Sequence, residues 1–218
     1  MRHSIIAAAA AVLLPAAVQV LEHTAPSTLG SRTSDYLPAT QFTLASDAQL
    51  IGATATIADI DRTGLSTWDG TMQAFFFADD AGLPGAALAS GLATVVETVL
   101  DGQLAGTIDL YKVAFNFAAP FDAAAGTTYW FGLHMSADYV REDGYAWMES
   151  SDAGRRASSE GGTQDNWQFQ RDFTLVYALH DEALVASAPS DVPLPAAAPL
   201  MLMGLAGLGL AARRRGAA

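Results

Sequence analysis

The sequence predicts an all-β protein, an antiparallel β-sandwich of jelly-roll type, flanked by an N-terminal signal peptide and a C-terminal hydrophobic helix. Three observations carry this. Short runs of alternating apolar and polar residues recur between Gly, Asp and Pro turns. No long amphipathic helix and no internal repeat interrupts them. The two ends are instead continuously apolar, with basic residues at their margins.

The strand-like runs justify the sandwich one by one. Gln41 to Ser46 is the first, and Gln49 to Ala58 follows with Ile51, Ala53, Ala55 and Ile57 alternating. Thr71 to Ala78 holds three consecutive phenylalanines, Phe75, Phe76 and Phe77. Ala93 to Leu100 and Gly106 to Phe117 come next. In the latter, Tyr111, Val113, Phe115 and Phe117 share one face and Lys112, Ala114 and Asn116 the other. Thr127 to Ser136, Tyr145 to Glu149, Asn166 to Arg171 and Phe173 to His180 complete the set. The alanines of Ala81 to Val96 could support a short helix, but Gly82, Pro84, Gly85 and Gly91 oppose it.

At the N-terminus, Arg2 and His3 precede an unbroken apolar run, Ile5 to Leu14, which Pro15 ends. The run is short for a membrane span and reads as a cleavable secretory signal over 1–22, with cleavage expected between Ala17 and His23. The alternative, a buried N-terminal helix, needs a polar face that this run lacks. Residues 23–40 are then expected as a linker, 41–182 as the β-sandwich domain and 183–191 as a second linker.

The C-terminal segment, 192–215, is built in three parts. Val192-Pro193-Leu194-Pro195-Ala196 is held extended by its prolines. Ala197 to Ala212 contains only apolar residues and glycine. Arg213-Arg214-Arg215 closes it as a basic stop, which stays cytoplasmic and leaves the β domain outside. The order of motif, span and arginine cluster resembles the PEP-CTERM sorting domain in its VPLPA variant. That resemblance implies recognition by an exosortase, a multi-span membrane protease or transpeptidase. It also implies removal of the tail after passage through the membrane, and delivery to the outer surface alongside exopolysaccharide or biofilm matrix. A plain single-span anchor is the alternative. A fainter resemblance to exported β-sandwich domains rests on Asp79-Asp80-Ala81-Gly82-Leu83-Pro84-Gly85 and on Ala125-Gly126-Thr127-Thr128-Tyr129-Trp130.

Composition narrows the function classes. There is no cysteine, which excludes disulfides, thiol catalysis and cysteine metal sites. Eleven basic residues stand against 23 acidic ones, net −12. Without Arg2 and the three terminal arginines, seven basic residues remain against the same 23, a balance of −16. Such a surface repels nucleic acid.

Among candidate sites, Asp59-Ile60-Asp61-Arg62-Thr63-Gly64 matches the opening of a calcium loop, where alternate oxygen ligands converge and a glycine turns the chain. Its twelfth position is Gly70, with Asp69 before it, so the match is half a motif: Asp59, Asp61 and Asp69 are candidate calcium ligands, and a solvated acidic turn is the alternative reading. Asp79 and Asp80 could serve likewise. Trp147 and Trp167 flank a polar stretch, Ser150 to Asn166, expected as a loop and a binding rim; exposed indoles there would stack on sugar faces. Trp130 is expected in the core. His134 and His180 are expected at the surface or rim and are not spaced as metal pairs. Glu97, Glu142 and Glu149 are nominal carboxylates for a hydrolase. No nucleophile elbow or P-loop is present. The reading is a structural or interaction protein of the cell surface, with a calcium-assisted glycan-binding module as alternative and a hydrolase behind it.

Overall fold

A computed structural model describes residues 19–24, 26–33, 35–136 and 144–187. The chain divides into two compact units, Met1–Ala186 and Ser187–Ala218. All the described strands belong to the first; the expected sorting tail and its hydrophobic helix lie outside the described residues, as does the apolar run of the signal peptide.

The described residues form eleven strands and no helix: β1 (Gln19–His23), β2 (Pro26–Arg32), β3 (Tyr36–Thr43), β4 (Ala48–Asp59), β5 (Met72–Asp80), β6 (Leu83–Leu104), β7 (Ile108–Ala123), β8 (Thr128–Met135), β9 (Tyr145–Glu160), β10 (Gln168–Leu175) and β11 (Tyr177–His180). Their order is β1-β11-β4-β7-β6-β5-β8-β3-β9-β10, with β2 beside β9, and every pairing is antiparallel. An additional pairing of β4 with β9 closes the path β4-β7-β6-β5-β8-β3-β9 on itself.

Two strands make that closure possible. β6 pairs with β5 up to Ala93 and with β7 from Thr94 onward. β9 begins against β4 and β2 and ends against β3. Seven antiparallel steps around a ring return a straight strand pointing the wrong way. The ring therefore closes only if β6 and β9 bend as they pass from one layer to the other, and register shifts in β6 around Val95 and Glu97 mark such a place. The result is two layers joined at shared corner strands.

Alternation decides what each layer buries. Met72, Ala74 and Phe76 of β5, Phe131, Leu133 and Met135 of β8, and Val113 and Phe115 of β7 point into one central core with Trp147 and Tyr177. Phe76 stacks on Phe121 at 4.2 Å and meets Phe117 edge-on at 5.1 Å. The opposite faces of the same strands place Phe75, Phe77 and Trp130 in a second cluster with Leu37, closed by Leu83 and Trp167. Each such ring contributes about 1.5–3 kcal/mol on burial, which is how the fold stands without a disulfide.

The structure departs from the sequence reading in four places. The sequence predicts a linker over 23–40, but these residues carry β2 and the first half of β3, whose Leu37 and Ala39 are core residues. β1 occupies 19–23, overlapping the end of the expected signal region 1–22. β6 runs for 22 residues through the alanine- and glycine-rich segment. It alternates weakly because most of it faces solvent. Finally, β9 continues to Glu160. Its polar residues pair with one another inside the fold, so the expected Ser150–Asn166 rim shrinks to 161–167.

Candidate functional site

Asp59 ends β4 and is fully buried. Its carboxylate accepts the Gly64 N–H at 2.6 Å and the Leu65 N–H at 3.3 Å, with the Thr63 hydroxyl at 3.4 Å. The turn it caps places Arg62, Gly64 and Leu65 at positive φ. Asp69 accepts the Thr71 N–H and hydroxyl, both at 2.7 Å, and the Ser136 hydroxyl at 3.1 Å. Asp61 lies against Gly144, where a Cβ would strike its carboxylate. The three carboxylates thus serve separate local roles. Among the described residues no group of three or more His, Asp or Glu side chains is placed to hold a metal ion.

Each of the four indoles has its N–H bonded. Trp68 donates to Thr71 O at 2.6 Å, Trp130 to Asp79 Oδ1 at 2.8 Å, Trp147 to Val176 O at 2.8 Å and Trp167 to Gln164 O at 3.0 Å. Trp147, expected at a sugar-binding rim, is 0% exposed, edge-on to Phe131 at 5.5 Å and Tyr177 at 6.0 Å. It is a core residue and offers no ring face to a sugar. Trp167 is half-buried, edge-on to Phe77 at 5.1 Å. It borders an open groove of about 470 Å³ lined by Glu160, Thr163, Asp165, Asn166 and Gln168.

The histidines correct another expectation. His134 is buried, its Nδ1 donating to Ser136 O at 2.9 Å. His180 is also buried; desolvation, with a smaller contribution from the Lys112 charge, lowers its pKa and keeps it neutral. Of the nominal carboxylates, Glu97 is half-buried on β6, Glu142 lies outside the described residues and Glu149 is 2% exposed.

Glu149 leads to a cluster that the sequence concealed. Arg156, 4% exposed, pairs with Glu149 and donates to the Ser31 hydroxyl. The partners come from β2 and from both halves of β9. Strand register brings them together, since Ser31 stands opposite Trp147 and Arg156 opposite Thr40. Breaking such a buried pair costs about 3–5 kcal/mol, because one charge is left alone. Arg156 also lines a cavity of about 160 Å³ with Gly30, Ser31, Arg32, Tyr36 and Ser158. No short motif announces this cavity, as its parts lie over a hundred residues apart.

No helix among the described residues is long and apolar enough to cross a membrane. No curated protein and no solved structure matches the chain. Residues 191–215 match the PEP-CTERM protein-sorting motif, which marks this chain as an exported protein sorted through the membrane to the cell surface.

Proposed function

We propose that this is a structural or interaction protein of the cell surface or extracellular matrix, freed from its tail by an exosortase-type membrane enzyme, with the tail being of the VPLPA variant. The match at 191–215 is the observation that carries the reading. A span of 16 small and apolar residues followed by three arginines suits transient residence in the membrane. The two-layer fold, with large aromatic rings in its core, suits a domain that must persist outside the cell without disulfides. Exopolysaccharide is the proposed matrix partner, and the role proposed is not enzymatic.

Mass spectrometry of surface material tests this. Peptides from Gln41 to Asp191 should be abundant and those from Leu200 to Ala218 missing. Equal recovery of both would mean a retained anchor and overturn the processing step.

One observation favours a second reading, a glycan-binding module. The groove beside Trp167 combines an indole with amides and carboxylates. Indole fluorescence should then respond to neutral oligosaccharides, and Trp167→Ala should abolish the response.

A further inference from the structure

We propose that the cavity between β2, β3 and β9 is a binding site for a small hydroxylated carboxylate of the sugar-acid class. The charge distribution singles it out. Between Glu22 and Asp191 the chain has only seven basic residues against 23 acidic ones, yet two of the seven, Arg32 and Arg156, line this one cavity. The rest of its lining is the backbone at Gly30 and the hydroxyl side chains Ser31, Ser158 and Tyr36. Each arginine carries a carboxylate partner, Glu149 on Arg156 and Asp35 on Arg32, and neither carboxylate is among the described residues that line the cavity. A guanidinium presents a planar fork matched to a carboxylate, and hydroxyls both donate to and accept from a polyol.

The two arginines are suited to different tasks. Arg156 is held by Glu149 and Ser31, so its guanidinium is ordered before any ligand arrives and binding costs little further entropy. Arg32 is half exposed, and its pairing with Asp35 is long at 3.4 Å. Arg32 is the exposed partner of a largely buried Asp35, and the contact is long, so its guanidinium can turn to place free N–H groups toward an incoming anion while staying near Asp35. The volume is about 160 Å³, against roughly 10–15 Å³ for one water. That admits a carboxylate together with part of the ring that bears it. Tyr36 stands directly opposite Glu160, which borders the Trp167 groove, so cavity and groove share the end of β9.

The test is titration of the full chain in neutral detergent, followed by calorimetry, with glucuronate, glucose, acetate and sodium chloride at matched ionic strength. Glucuronate should bind saturably, acetate more weakly, and glucose and chloride not at all. Arg32→Gln removes one charge-assisted contact and should weaken glucuronate about tenfold. Tyr36→Phe should weaken it less. Tyr36 is partly exposed and a glutamine at 32 can still donate to Asp35, so the unliganded melting temperature should change little, whereas Arg156 variants would break the buried pair. Absence of saturation overturns the site, as does undiminished affinity in Arg32→Gln. Equal affinity for acetate and glucuronate overturns the sugar-acid assignment.

Discussion

The carboxylate of Asp79 accepts the indole N–H of Trp130 at 2.8 Å, tying the end of β5 to the middle of β8. The same carboxylate accepts Gln41 Nε2 at 2.9 Å and the Gly82 N–H at 3.2 Å. One side chain at the layer edge thus organises a turn and satisfies the donor of a fully buried ring. Gly82 has φ +84°, and any Cβ there would collide with the Arg155 guanidinium.

Asp79→Ala should leave the Trp130 donor without its acceptor and cost about 1–3 kcal/mol. Desolvation raises the Asp79 pKa, but the bonds from Trp130, Gln41 and Gly82 and the Arg155 charge outweigh it, and the net value falls below the ordinary 3.8. A folded pKa below the unfolded one stabilises the fold above the unfolded value, and that stabilisation fades as pH falls through the folded value. Denaturant melts below about pH 4 should therefore show a steeper loss for the native chain than for Asp79→Ala. Parallel pH profiles would remove Asp79 from this role.

Trp147 and Trp167 should separate cleanly. Trp147→Ala opens a cavity beside Phe131 and Tyr177 and should cost about 3–5 kcal/mol. Trp167→Ala loses only a half-buried edge contact with Phe77 and should cost clearly less. Similar melting shifts for the two would contradict their placement.

That contrast shows what the sequence can and cannot reveal. Alternation along Gly106 to Phe117 predicts which side chains of β7 face the core, because one face of that strand is dry and the other wet. The all-β class follows from the same pattern repeated. Trp147 misleads because β9 turns polar from Glu149 onward, yet much of that polarity is internal: Arg156 bonds Glu149 and Ser31 under cover. β6 hides for the opposite reason. Its first half, rich in alanine and glycine, packs mostly at the edge of the core, so only Ala93 to Leu100 of it reads as a strand. The sorting tail is legible because a membrane enzyme must read it as a linear segment. The arginine-lined cavity is not, since strand register alone assembles it.

The Asp59 turn should prove to be self-contained. Its carboxylate already accepts two backbone N–H groups, and the Asp69 oxygens are taken by Thr71 and Ser136. Calcium, magnesium and sodium chloride at matched ionic strength should raise the melting temperature alike, by screening a surface of high negative charge. Asp59→Ala should cost about 1–3 kcal/mol through the orphaned donors. A calcium-specific shift that disappears in Asp61→Ala would instead establish the metal site expected from the spacing.

The first described strand bears on where the signal expected from the sequence would be cut. β1 pairs with β11 from Gln19 opposite His180 to His23 opposite Tyr177. Val20 and Leu21 pack against the central core. His23 contacts the Asp152 carboxylate at 3.1 Å, and its ring centroid lies 5.3 Å from that of Tyr177. Cleavage at His23 would strip this strand, bare the edge of β11 and expose His180, which is now buried. Two half-buried aliphatic side chains and an edge strand are worth on the order of 1–3 kcal/mol, a large share of a marginal total. Signal cleavage is therefore expected before Gln19, at the upstream limit of the window the apolar run allows. N-terminal sequencing of exported protein should begin at Val18 or Gln19. A chain starting at Thr24 should melt several degrees lower, since a loss of this size shifts a domain of 150–250 residues by about 2–4 °C per kcal/mol. A mature N-terminus at Thr24 or beyond, with undiminished stability, would show that β1 is dispensable.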